Sequence, residues 1–250
     1  MSTTATVVLH GFTGSASAMA PLTSRLPDPV LALDLPGHGL GPVSDNPNDY
    51  TMAAAVAGLV SATSHLGRFA LVGYSLGGRV ALHFALAHPD RVGSLALIGV
   101  RAGIDDPDER AGRIAADEAL ADRIESEGIE WFADYWADQP LFDTQKQRLS
   151  AQVRAELRAQ RLACDPRGLA HSLRGMGAGA VEPVGCRLRE LAMPCALIAG
   201  VDDAKFVGIA QEMAAEIPQA VVCLIPDAGH AAHLEAPDLT AAAVIQCVSS

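Results

Sequence analysis

The chain has 250 residues, half of them hydrophobic and only 19% charged, with a formal net charge of −11. That length and apolar content suit one large domain with a deep core and exclude a disordered or low-complexity chain. The acidic balance argues against a general nucleic-acid or anionic-membrane surface, because both require basic patches, while leaving room for a small anion met by local arginines.

The opening residues, MSTTATVVLHG, have neither a basic leader nor a long apolar stretch, and no run of about 18 apolar residues occurs anywhere. A soluble, cytoplasmic protein without membrane insertion is expected. A first β-type run at 5–9 leads into His10-Gly11-Phe12, where His10 and Gly11 are read as shaping the loop. A second run at 29–33 enters Asp34-Leu-Pro-Gly-His38-Gly, read as a structural turn. The pattern continues with a helix at 51–66, a strand at 69–73, a helix at 76–88 and a strand at 94–99. Between 104 and 185 charged helical sequence replaces the alternation. Strands at 195–199 and 220–225 and helices at 206–216 and 236–248 complete it. Strands alternating with helices predict an α/β fold whose sheet is mostly or fully parallel with helices on both faces. The core is expected to comprise 1–103 and 186–250, with 104–185 as an inserted helical cap. Cys164, Cys186, Cys195, Cys223 and Cys247 are scattered without CxxC spacing, which fits neither a disulfide framework nor a zinc site.

The sharpest chemical signal is Gly73-Tyr74-Ser75-Leu76-Gly77-Gly78, between a predicted strand and a predicted helix. A nucleophile elbow has this context: the serine sits on a tight, strained turn and the flanking positions must lack a Cβ. A hydroxyl becomes useful when an imidazole takes its proton, and in this fold that histidine comes late in the chain. His230, after Ala-Gly and following the run AVVCLI, is preferred to His233. A carboxylate should orient the imidazole from the end of the preceding strand, where Asp202 and Asp203 both stand. Backbone N–H groups of Leu76 and Phe12 are the candidate oxyanion donors.

HGFTG, DLPGHG, GYSLGG and AGH, in this order, resemble the α/β-hydrolase superfamily over nearly the whole chain. The chain opens at the HG-bearing strand, without the hairpin that many members place before it, so a smaller, fully parallel sheet is expected. GFTGS, GYSLGGR, DERAGRIAADEALA, PLFDTQ, LRGMGAG, DDAKF and AGHAAHLE together are similar to the 2-succinyl-6-hydroxy-2,4-cyclohexadiene-1-carboxylate synthase family of menaquinone biosynthesis. The resemblance implies a lyase that eliminates pyruvate from 2-succinyl-5-enolpyruvyl-6-hydroxy-3-cyclohexene-1-carboxylate, a tricarboxylate. It favours Asp203 as the triad acid. It also carries over Arg79, Arg113 and Arg161 as carboxylate partners, and Tyr74, Trp136 and Phe142 as pocket walls. A tryptophan usual in the family is missing near Glu182-Pro183-Val184-Gly185-Cys186. With no metal cluster, P-loop or dinucleotide fingerprint, a cofactor-free reaction is expected. The alternative is a serine hydrolase of a small ester, thioester or C–C bond using the same triad. The sequence leaves the oligomeric state open.

Overall fold

A computed structural model describes residues 4–248. Six strands, β1 (Thr6–Leu9), β2 (Val30–Leu33), β3 (Phe69–Tyr74), β4 (Val92–Ile98), β5 (Cys195–Gly200) and β6 (Ala220–Ile225), form one sheet in the order β2-β1-β3-β4-β5-β6. Every pairing is parallel, as expected. The interior strands β1, β3 and β5 are buried at every position, whereas the edge strands β2 and β6 are only partly covered. A parallel sheet buries both faces, so its inner strands read as unbroken apolar runs.

The helices are α1 (Ala20–Thr23), α2 (Met52–Ala62), α3 (Leu76–Ala87), α4 (Pro107–Ala137), α5 (Asp143–Arg148), α6 (Ala151–Leu162), α7 (Pro166–Met176), α8 (Ala204–Glu216), α9 (Ala232–Glu235) and α10 (Pro237–Val248). Successive strand residues point to opposite faces. Val7, Leu71, Leu95 and Leu197 therefore join Leu59 of α2, Val80 of α3 and Met213 of α8 in one core. Val8, Val72, Ala96 and Ile198 join Leu22 of α1, Ala232 of α9 and Val244 of α10 in the other.

Helices α4 to α7 lie between β4 and β5 in sequence and have a small core of their own, which includes Ile124, Phe132, Leu169 and Leu173. Phe12, on the loop after β1, packs against it. Asp106 starts α4 by accepting the Glu109 N–H at 2.7 Å, with Pro107 in the first turn. The helix is broken at Gly128, where φ is +84°.

Two boundaries differ from the sequence reading for identifiable reasons. Helix α8 starts at Ala204, two residues earlier than expected, because Asp203 caps it through the Phe206 N–H at 3.2 Å. The last helix is preceded by the four-residue α9, too short to leave a periodic signal. The outermost expected core residues, 1–3 and 249–250, lie outside the described residues. All five cysteines are free, and Cys164, Cys195 and Cys247 are buried. Among the described residues no helix is long and apolar enough to cross a membrane.

Candidate active site

Strand β3 runs directly into α3 through Ser75, whose φ of +49° and ψ of −109° are strained for a residue with a side chain. The Ser75 N–H donates to the Ile98 carbonyl at 2.9 Å, and its own carbonyl accepts from the Arg79 N–H at 3.0 Å, so sheet and helix together hold the turn. A Cβ on Gly73 would come within 2.5 Å of the Gly77 carbonyl oxygen, and one on Gly77 would strike the His10 backbone. The turn can close only on glycine at both positions.

His230, on the loop after β6, faces Ser75. Its Nδ1–H donates to Asp203 Oδ2 at 2.8 Å, and its Nε2 is 3.2 Å from Ser75 Oγ, positioned to accept the hydroxyl proton. The carboxylate selects that tautomer. Asp203 uses one oxygen for His230 and the other to cap α8, while Asp202 turns outward to pair with Arg148. His233 instead packs its ring on Tyr74, 4.2 Å between centroids, and burial pushes its pKa down to about 3. Gly99, at the end of β4, has φ +60°, and a Cβ there would sit 2.9 Å from His230 Cε1. The sequence reading missed this residue, although its place at a strand's carboxyl end was a usable signal.

Ser75 and His230 open into a cleft of about 910 Å³, measured to include its open mouth. Phe12, Tyr74, Leu76, Trp136 and Phe142 line it. Leu76 is the first residue of α3, so its amide has no intrahelical acceptor. Four cations reach the same space: Arg79 and Arg113, which the sequence pointed to, and Arg101 and Lys205, to which it assigned no role. Arg101 is paired with Glu109 and Arg113 with Asp117, each at 2.9 Å. Arg79 has no carboxylate partner among the described residues; it donates to the Met176 carbonyl at 2.9 Å and its buried Nε has no acceptor. Burial, with the nearby Arg113 charge, draws its pKa down to about 10.

Arg161 lies elsewhere. It is buried in an adjoining void that shares Phe12, Tyr74, Trp136 and Phe142 with the Ser75 cleft. Among the described residues it has no ion pair, and burial lowers its pKa.

His10 and His38 have the structural roles read from sequence. His10 Nδ1–H donates to the Gly11 carbonyl at 2.7 Å and its Nε2 accepts from the Leu35 N–H at 3.0 Å. His38 Nδ1–H donates to the Pro36 carbonyl at 2.9 Å. Burial lowers the pKa of His10, and that of His38 to about 3. Together with His233, these rings stay neutral in the folded state while the unfolded chain takes up protons below about pH 6.5. Stability should therefore be unaffected by them above that pH and fall as the pH drops below it; for His38 and His233 the fall runs from about 6.5 to 3 and amounts to about 2 kcal/mol for each at pH 5. Urea unfolding at pH 7 and 5 checks this: the loss should shrink in His38→Gln, and an undiminished loss would refute the assignment.

A serine–histidine–aspartate relay at the strand ends of a parallel sheet, roofed by inserted helices, defines an α/β-hydrolase-fold enzyme, and residues 6–243 match the alpha/beta hydrolase family. Within that class, the chain belongs to the 2-succinyl-6-hydroxy-2,4-cyclohexadiene-1-carboxylate synthase family. It is 38% identical to a Bacillus subtilis protein provisionally named as this synthase, over 98% of this chain and 90% of the relative. Identity with the synthase of Klebsiella pneumoniae is 34%, over 97% and 91%. The solved structure of MenH from S. aureus superposes with a TM-score of 0.94 at 31% identity, covering 100% of this chain and 94% of that one.

Proposed function

We propose that this protein is a cytoplasmic lyase that eliminates pyruvate from 2-succinyl-5-enolpyruvyl-6-hydroxy-3-cyclohexene-1-carboxylate, giving 2-succinyl-6-hydroxy-2,4-cyclohexadiene-1-carboxylate. The observation that carries this reading is the opening of an intact triad into a cleft with four cations, of which Arg79 and Lys205 lack carboxylate partners among the described residues. Such a cleft is built for a substrate that brings its own negative charge. Arginine meets a carboxylate with two parallel N–H bonds, and the field is strongest where water is excluded.

The ring hydrogen beside the succinyl ketone is the acidic one. Neutral His230, acting through or beside the Ser75 hydroxyl, removes that proton, while Asp203 holds the ring and stabilises the imidazolium. Negative charge moves onto the ketone oxygen, where the N–H groups of Phe12 and Leu76 receive it; this interaction is stronger in the transition state than in the bound substrate. The electron pair then shifts around the ring as its double bond migrates, the C–O bond to the enolpyruvyl group breaks, and pyruvate enolate departs. The imidazolium returns its proton to that enolate. Atoms balance without water, and no acyl-serine forms. Tyr74, Trp136 and Phe142 pack the ring, Arg79 and Arg113 take carboxylates, and Arg161, in the adjoining void, is the third carboxylate partner.

The test is pyruvate release from the enolpyruvyl cyclohexene substrate, measured beside hydrolysis of a neutral nitrophenyl ester. Rapid release with feeble ester hydrolysis is expected. Brisk ester hydrolysis without pyruvate would leave the triad in place and assign it to acyl transfer instead.

A further inference from the structure

Arg148, the last residue of α5, touches the loop that carries the triad's acid and, in α9, the helix that follows the loop carrying its base. One end of its guanidinium pairs with Asp202, the neighbour of Asp203. The other faces Glu235 Oε2 at 3.4 Å. That same Glu235 oxygen accepts the N–H of Gly229, the neighbour of His230, at 3.0 Å. The Glu235 side chain is wholly buried, and its Oε1 has no hydrogen-bond partner among the described residues. A carboxylate in that position depends on its one cationic neighbour. Helix α5 also meets the His230 loop directly, since a Cβ on Gly229 would run into Thr144. Phe142, a wall of the cleft, immediately precedes α5.

We infer that Arg148 is a positioning residue: from the inserted helices it fixes the spacing between the Asp203 loop and the His230 loop, so that seating of the cap and alignment of the triad are one event. Asp203 and His230 stand at the ends of different strands, and the bond between them is one hydrogen bond long. The Asp202 N–H also donates to the Ala228 carbonyl at 3.0 Å, so the backbone joins the two loops at their base; Arg148 adds a side-chain tie further out, and it is anchored in the element that shapes the substrate's pocket. The inference rests on the triad reading above, but not on the identity of the substrate.

The charged and titratable groups around His230 set the sign of the test. Asp202 and Asp203 approach from the turn after β5, Lys205 from the start of α8, Ser75 and Tyr74 from the elbow, and His233 and Glu235 from α9. Arg79, Arg101 and Arg113 line the cleft beyond. Arg148→Met leaves Asp202 and Glu235 uncompensated and favours the imidazolium, whereas Asp202→Asn leaves Arg148 in excess and disfavours it. Proton titration of His230 can be read by NMR of histidine-labelled protein, assigned by the signal lost in His230→Asn. Arg148→Met should move it upward by about half a pH unit and Asp202→Asn should move it downward. Turnover of whichever reaction the wild type performs should fall about ten- to a hundredfold in Arg148→Met, with KM little changed. Arg148→Lys should keep the titration near wild type and recover only part of the turnover, because an ammonium cannot fork between two carboxylates.

An Arg148→Met protein that melts earlier but keeps wild-type turnover and an unmoved His230 titration would overturn the inference. Should that variant fail to fold, Asp202→Asn, at an exposed position, cuts the same tie from its other end, and an unmoved titration there would overturn it equally. Absence of pyruvate release by the wild type would count against the proposed reaction alone, since the titration needs no substrate.

Discussion

Ser75→Ala and His230→Ala are each expected to lower kcat for pyruvate release by roughly 10³- to 10⁴-fold, with KM little changed, and the double variant is expected to be no worse than the worse single one. The reason is geometric. Ser75 Oγ and His230 Nε2 are 3.2 Å apart and act on one proton, so removing either disables the pair. The imidazole in turn is held at 2.8 Å by Asp203, and Asp203→Asn should cause a loss approaching that of the histidine variant by presenting the wrong tautomer. Single-turnover measurements of all four variants check this. Losses that multiply in the double variant would mean that serine and histidine act independently, and near-wild-type elimination by Ser75→Ala would remove the serine from the mechanism.

Arg79→Met should separate activity from stability. The guanidinium is held by one backbone carbonyl, its Nε is buried without an acceptor, and it has no carboxylate partner among the described residues. Burying a charge so poorly compensated costs free energy in the unliganded fold, which an apolar side chain of similar length would recover. In the proposed reaction the substrate's carboxylate is the missing partner, and losing that contact should cost about 2–5 kcal/mol, a fall in kcat/KM of roughly 30- to 5000-fold. The expected result is a melting temperature equal to or above wild type alongside that loss. A variant destabilised but fully active would show that Arg79 is a structural strut between α3 and the Met176 carbonyl.

The strands were legible because a parallel sheet buried on both faces imposes unbroken apolar runs, and the elbow because its turn tolerates so few residue types. Asp202 and Asp203 were not separable by residue type: adjacent carboxylates after one strand look alike until the turn sends one inward and the other to Arg148. Arg101 and Lys205 carried no local mark, because almost all the basic residues are arginines and the cations of the cleft are brought together by tertiary folding from positions 79, 101, 113 and 205. Arg161 illustrates the same limit from the other side. Its place near the end of α6 was visible, but whether it lines the Ser75 cleft or the adjoining void depends on how α6 docks on α4, and no spacing within one helix encodes that.

The break in α4 at Gly128 divides that helix into two rods. A Cβ there would meet nothing within 4 Å, so glycine is needed for the backbone's own path and not for clearance. The first rod bears Arg113 and its partner Asp117; the second bears Trp136, which lines the cleft and is proposed to pack the substrate's ring. A joint between them means that the part of the roof that meets charge and the part that meets carbon need not move as one rigid body. Descendants of this enzyme therefore have a route to a differently shaped ring that leaves the grip on its carboxylates intact: remodel the second rod and leave the first alone.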